Sequence, residues 1–209
     1  TVLNVFTTSR CNFSCSYCSR NAPDMSEDTA THYKDQSEFH LEDLRYLLDL
    51  YPGLTLVSFV GIGEPFLARD LIAMARLARE RGKRTEVITN GSLLHQHDDF
   101  AGPVFDQISI SLHGLNPEEM KSVSGVDEGV FARVARNVHA LVQVAKKRSG
   151  SPAVRASVVM LKQDMERIRR AAVFCQEHSI QDLDVQNYLP YGIFDSSNCL
   201  FDDDHALVA

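Results

Sequence analysis

Apolar residues recur along this chain in two alternating rhythms, short runs separated by stripes at helical spacing. Val2–Thr8 is a β-branched, apolar run that reads as a short buried strand, and a long polar, irregular stretch follows it. Leu41, Leu44, Leu47, Leu48 and Tyr51 fall at helical spacing, and Pro52-Gly53 stops the helix. Leu54–Val60 reads as a second strand, ended by Gly61-Ile62-Gly63-Glu64-Pro65. Asp70 is the expected N-cap of a helix with Leu71, Met74, Ala75 and Ala78 on its stripe and Gly82 past its end. Thr85–Thr89 is a third strand, followed by Asn90-Gly91 and a short helical connection through Phe100. Gln107–Leu112 alternates, with Ile108, Ile110 and Leu112 on one face, and ends at His113-Gly114. Gly129–Lys147 carries Val130, Val134, Val138, Leu141 and Ala145 in helical register. Ala153–Met160 is a fifth strand. Asp164 then caps a helix bearing Met165, Ile168, Ala172 and Cys175, and Leu183–Tyr188 is a sixth strand.

Six strand-then-helix units, the last without its helix, give about 30 residues per unit, the size of a βαβ repeat. Strict alternation implies a parallel sheet with helices outside, either an open doubly wound sheet or a barrel. No repeat, low-complexity segment or linker divides the chain, so one domain is expected. The chain starts at Thr1 rather than Met and ends on Asp202–Ala209, which reads as a domain cut from a longer polypeptide. In either architecture, ligands gather where strands hand over to helices. The unusual residues fall there repeatedly: the cysteines, Gly63-Glu64, Asn90-Gly91, and Ser111 through Gly114.

Composition narrows the function classes. The 209 residues are 44% hydrophobic and 23% charged, as in a globular domain, with a net charge of −7. That acidic balance gives no reason to expect a nucleic-acid partner. No apolar run reaches the ~18 residues of a membrane span, and no signal peptide is visible, so a cytoplasmic protein is expected. Of five cysteines, Cys11, Cys15 and Cys18 fall within one short segment. An odd, clustered count is a poor disulfide framework and points to metal or redox chemistry in a reducing compartment.

The spacing is Cys-x3-Cys-x2-Cys. Thiolates are soft ligands that suit zinc and iron–sulfur clusters. The longer gap spans only about 13 Å fully extended, so one loop can curl around a compact centre. Three ligands leave a tetrahedral set one short. Zinc needs a fourth donor, for which His32 or Cys175 is available, and the chain is then a structural zinc-binding interaction domain. A cubane cluster lacking one protein ligand instead leaves an iron open to a substrate or cosubstrate. A dehydrogenase on an open sheet is disfavoured, because no Gly-x-Gly-x-x-Gly follows the first strand.

Cys-x3-Cys-x2-Cys after the first strand, with Tyr17 before the third Cys, resembles the signature of the radical S-adenosylmethionine (radical SAM) superfamily. Ile62-Gly63-Glu64-Pro65 is similar to the family's Gly-Gly-Glu-Pro after strand two, with Ile62 in place of the first glycine. Thr89-Asn90-Gly91 and Ile110-Ser111-Leu112-His113-Gly114 resemble its motifs after strands three and four, and the run on to Glu119 is similar to the branch of molybdenum-cofactor cyclases and peptide-modifying maturases. The resemblance implies a partial (β/α)6 TIM-type barrel. It implies that Cys11, Cys15 and Cys18 hold a [4Fe–4S] cluster whose fourth iron chelates S-adenosyl-L-methionine. An electron from a donor such as flavodoxin or ferredoxin then gives methionine and a 5′-deoxyadenosyl radical, which abstracts hydrogen from a peptide or small-molecule substrate.

Within that resemblance, Glu64 is expected to meet the cosubstrate's ammonium beside Gly63, which lets backbone approach closely. Tyr17 is expected near the cluster, with its backbone against adenine. Asn90 and Ser111 are expected to contact the ribose or methionine part, Ser111 sharing a strand face with Ser109. Gln186, Asn187 and Tyr188 are weaker candidates for adenine or substrate. Cys175 reads as core, Cys199 and Arg155 are left without an assigned task, and His113, where the family usually has Asp, is given no role.

Overall fold

The structure, a computed structural model, describes residues 1–21, 37–96, 104–147, 152–160 and 165–188. The Asp164 cap, the stretch 97–103, His32 and Cys199 lie outside the described residues. The strands are β1 (Val2–Phe6), β2 (Leu56–Val60), β3 (Arg84–Thr89), β4 (Gln107–Ser111), β5 (Ala153–Met160) and β6 (Asp182–Asn187). The α-helices are α1 (Leu41–Leu50), α2 (Leu71–Glu80), α3 (Pro117–Ser124), α4 (Glu128–Lys147) and α5 (Met165–His178).

All the strands pair in parallel, in the order β1-β2-β3-β4-β5-β6, so each crossover moves one strand onward in the same direction. Register aligns Phe59 with Val87, Val87 with Ile108, and Thr89 with Ile110. These residues are on the sheet's apolar face, and helices α2, α4 and α5 pack against the strands. The opposite face is polar. Ser58 lies beside Glu86, Ser109 beside Arg155, and Ser111 beside Ser157. Its groups bond one another: Ser58 Oγ donates to Glu86 Oε2 at 3.1 Å. Strands of a closed, packed parallel sheet are apolar on both faces. The polar face marks the inside of an incomplete barrel.

That incompleteness corrects one expectation. β1 is not buried as its composition suggests: Val2 and Phe6 are 53% and 61% exposed, and within the strand only Val5 is fully covered. Among the described residues β1 pairs with β2 alone, so it has an open edge. No described helix is long and apolar enough to cross a membrane.

Three local details depart from the sequence pattern. Asp70 stands at the N-cap of α2, but its side chain makes no cap bond there. Its Oδ2 instead accepts from Leu41 N at 3.3 Å, at the start of α1. On α5 the buried positions are Arg167, Ala171, Phe174 and Cys175, while Met165 is exposed. Arg167 turns that helix, because its guanidinium is only 2% exposed and pairs with Glu119 at 3.1 Å. The helix α3 was not expected at all. Asn116 caps it by accepting from Glu119 N at 2.7 Å, Pro117 opens it, and Gly125 ends it at φ 64°.

Candidate functional site

The three clustered cysteines lie on the loop that leaves β1, and that loop is tied to each of the next three strand exits. At β2, Glu64 N donates to Arg10 O at 2.8 Å. Gly63 passes so close beneath the loop that a Cβ there would meet the carbonyl oxygens of Thr8 and Arg10. At β3, Asn12 Nδ2 donates to Ser92 Oγ at 2.8 Å, and Asn90 Nδ2 donates to Asn12 Oδ1 at 2.9 Å. At β4, the Tyr17 hydroxyl and His113 Nδ1 are 2.6 Å apart. The end of α3 supplies a fourth tie. The last carbonyls of a helix have no intrahelical partner. Here Val123 O accepts from Ser16 N at 2.8 Å and Ser124 O from Ser14 N at 2.9 Å.

These ties enclose a cavity of about 380 Å³ at the carboxyl ends of the strands. Cys11, Cys15, Cys18, Tyr17, Gly63, Glu64, Asn90 and Ser111 all line it, so residues scattered over a hundred positions meet in one place. Gln186 joins them from β6, whereas Asn187, Tyr188 and Arg155 do not line the cavity. Cys175 is buried in α5, away from that wall, and burial pushes its thiol up to about 11. His113, which stands in the fourth-strand motif but has no role assigned from the sequence, lines the cavity too.

The charges are arranged around low exposure. Burial pushes the Cys15 thiol up to about 12. It also raises Cys11, against a bond from Phe13 N to Cys11 Sγ at 3.4 Å. Coordination deprotonates a thiol outright, so a bound metal would convert these reluctant acids into thiolates. The Glu64 carboxylate is 1% exposed, and burial raises its carboxyl. Three donors pull the other way: Asn90 N at 2.8 Å, Thr89 Oγ1 at 2.7 Å and Phe66 N at 3.1 Å. Oε1 takes two of these and Oε2 one, which leaves Oε2 room for a further donor. The Asn90 side chain is largely engaged, since its Oδ1 accepts from Ser92 N at 2.9 Å and Ser92 Oγ at 2.7 Å. Burial and the nearby Arg167 charge lower His113 to about 4, so its ring is neutral.

The residues present fit an iron–sulfur group. Three soft donors share one wall of a cavity whose floor, at Gly63, admits backbone alone. Among the described residues, no group of three His, Cys, Asp or Glu side chains is placed to hold one ion.

A family model described as the radical SAM superfamily matches residues 5–175. The chain is 32% identical over 196 residues to a probable GTP 3′,8-cyclase of Metallosphaera sedula, covering 91% of this chain and 56% of that protein. It is 26% identical over 160 residues to an S-adenosylmethionine-dependent nucleotide dehydratase of Selenomonas ruminantium, covering 73% of this chain and 53% of the other. The chain therefore spans about half the length of the curated relatives it matches. SuiB of Streptococcus suis, solved with bound S-adenosylmethionine, matches at TM-score 0.65 and 20% identity, over 91% of this chain and 39% of that one. The same enzyme with its precursor peptide SuiA matches at TM-score 0.66. At that identity the likeness shows the fold alone, a radical SAM partial barrel. A family match that runs from within β1 to the core of α5, across every element that lines the thiol cavity up to that point, makes this chain a member of the radical SAM superfamily.

Proposed function

We propose that the chain is the catalytic core of a radical SAM enzyme in which Cys11, Cys15 and Cys18 hold the family's [4Fe–4S] cluster, and whose substrate is a nucleotide-class metabolite. One observation carries the first half of this reading: three thiols from a single loop line the same cavity as Gly63, Glu64, Asn90 and Ser111. When bound, the cluster and S-adenosylmethionine supply the hard chemistry, one-electron cleavage of the sulfonium to methionine and a 5′-deoxyadenosyl radical that takes a hydrogen atom from the substrate.

The chain's own residues bind and orient. Glu64 Oε2, with one donor where Oε1 has two, has acceptor capacity left for the ammonium of the cosubstrate, and Gly63 leaves the backbone open to close approach. Ser111 offers a small hydroxyl to the carboxylate or ribose. Phe13, Ile62 and Ile88 line the cavity with apolar surface that excludes water. The electron comes from a separate donor of the flavodoxin or ferredoxin type.

The nucleotide-class substrate rests on two curated relatives, a cyclase named for GTP and a nucleotide dehydratase. Structural zinc is the weaker reading. Zinc holds its sulfurs about 2.3 Å from one ion, so the ligands must converge on a point. Among the described residues no three such side chains converge on one ion, which suits a multi-iron group instead.

The test is hydrogen transfer. The anaerobically reconstituted, reduced protein is incubated with S-adenosylmethionine and ribose-deuterated GTP or other nucleoside triphosphates. Deuterium arriving in 5′-deoxyadenosine supports the reading. Label arriving only from a peptide would replace the substrate class, and no 5′-deoxyadenosine under any condition would overturn the enzymatic reading itself.

A further inference from the structure

We propose that His113 is a positioning residue whose Nδ1 tethers the Tyr17 hydroxyl and thereby fixes the Cys15–Cys18 half of the cysteine loop for S-adenosylmethionine binding, an inference that rests on reading the cavity as the cluster and cosubstrate site.

The post is anchored by its own neighbours. The main-chain oxygen of His113 accepts from Arg167 Nη2 at 2.9 Å, and Arg167 is fully enclosed by α5 and the β4 exit. Arg167 pairs with Glu119 at 3.1 Å, and Glu119 Oε2 accepts from Leu115 N at 3.1 Å, two positions after the histidine. Gly114 leaves no alternative path, because a Cβ there would collide with the backbone of Met120 in α3. The Phe13 ring meets the imidazole edge-on, 5.7 Å between centroids at 65°. The segment it holds is bonded at its ends by Asn21, to Cys15 O at 2.9 Å and Cys18 O at 2.8 Å, and in its middle by the Ser16 amide on Val123 O at 2.8 Å and the phenol on His113 at 2.6 Å. Cys15 Sγ lies 3.6 Å from the same imidazole nitrogen, so ring, phenol and thiol form one contact group on the cavity wall.

A neutral imidazole has one acceptor nitrogen. The tether takes the tautomer with its proton on Nε2, so that the phenol donates to Nδ1, an assignment that the His113→Asn variant tests. A hydrogen bond of this kind is worth roughly a factor of five in an equilibrium. If the tether sets the cavity wall, that factor reads out in cosubstrate affinity and not in iron content.

The experiment is a double-mutant cycle on cluster-loaded protein, with Tyr17→Phe, His113→Phe and both together, plus His113→Asn. An asparagine Oδ1 stands in for Nδ1. The readouts are S-adenosylmethionine affinity by equilibrium dialysis and iron per chain. Each single change is expected to weaken binding about fivefold at unchanged iron, the double to be no worse than the weaker single, and His113→Asn to bind like the unmutated protein. Unchanged affinity in the singles, additive losses in the double, or a His113→Asn as weak as His113→Phe overturns the tether. Urea midpoints of the same proteins without cluster separate the two readings. Non-additive midpoints with no cosubstrate binding even in the unmutated protein overturn the assignment of the cavity and leave the tether standing, whereas additive midpoints overturn the tether itself.

Discussion

The Glu64 carboxylate accepts the main-chain N–H of Asn90 at 2.8 Å, so one buried acid closes the exits of β2 and β3 against each other. Every hydrogen-bond partner of this carboxylate among the described residues is a donor, Phe66 N and the Thr89 hydroxyl included. Glu64→Gln therefore points an amide N–H at a donor in either orientation. An expected loss of about 2 kcal/mol follows from leaving a buried donor unpaired. Urea unfolding of the cluster-free protein measures it. A variant as stable as the original would mean that these bonds contribute nothing to the fold.

Asp106 gives a pH signature far from the cavity. Burial alone would raise its carboxyl, but Arg79 Nη1 at 2.5 Å and Thr85 N at 2.7 Å together hold it below the ordinary carboxylate range. A depressed folded pKa means that the unfolded chain binds more protons in the interval between the folded value and the ordinary 3.8. This stabilising contribution is full above 3.8 and is lost as pH falls through the folded value. Asp106→Asn is thus expected to flatten the fall in urea midpoint between roughly pH 5 and the acid limit. An equally steep fall in the variant removes Asp106 from that role.

Gly63 and Gly53 make a matched pair. A methyl on Gly63 runs into the carbonyls of Thr8 and Arg10, which cannot move without shifting the cysteine loop, whereas Gly53 has nothing within 4 Å of its Cβ position. Gly63→Ala is expected to lose about 2 kcal/mol and to take up less iron on reconstitution, and Gly53→Ala to do neither. Iron assays and urea midpoints on the two variants check this.

Arg167 and Glu119 form a largely buried pair beneath the β4 exit, with side-chain exposures of 2% and 15%. Glu119 also pairs with Arg170 at 3.5 Å, so removing Arg167 leaves its carboxylate only partly compensated. Arg167→Met is expected to destabilise by about 3 kcal/mol, the low end for a broken buried pair because Arg170 remains, and adding Glu119→Gln to recover part of that. A double variant no better than the single argues that the lost bond to His113 O, not the stranded carboxylate, carries the effect.

The strands are legible because they rest on local pattern, two-residue alternation and β-branched runs, whereas the candidate site residues at the strand ends come from a motif resemblance. What the pattern missed is long-range. α3 looked like an exit loop, although Asn116-Pro117-Glu118-Glu119 carries a cap, a first-turn proline and acids at the helix start. Arg167 falls outside the stripe read from the sequence, and only the fold brings Glu119 and His113 O to it. β1 reads as buried because its composition says nothing of whether the sheet closes. His113 was silent for the same reason, since only its spatial neighbours Tyr17 and Cys15 make it part of the cavity.

The most direct measurement of the central claim is anaerobic reconstitution with iron and sulfide, followed by reduction in the presence of S-adenosylmethionine. The account predicts a brown protein with an iron-to-chain ratio near ~4 that releases 5′-deoxyadenosine. It also expects Cys11→Ala, Cys15→Ala and Cys18→Ala each to abolish both signals and Cys175→Ala to keep them. A colourless protein holding one zinc, inert toward S-adenosylmethionine, would contradict it.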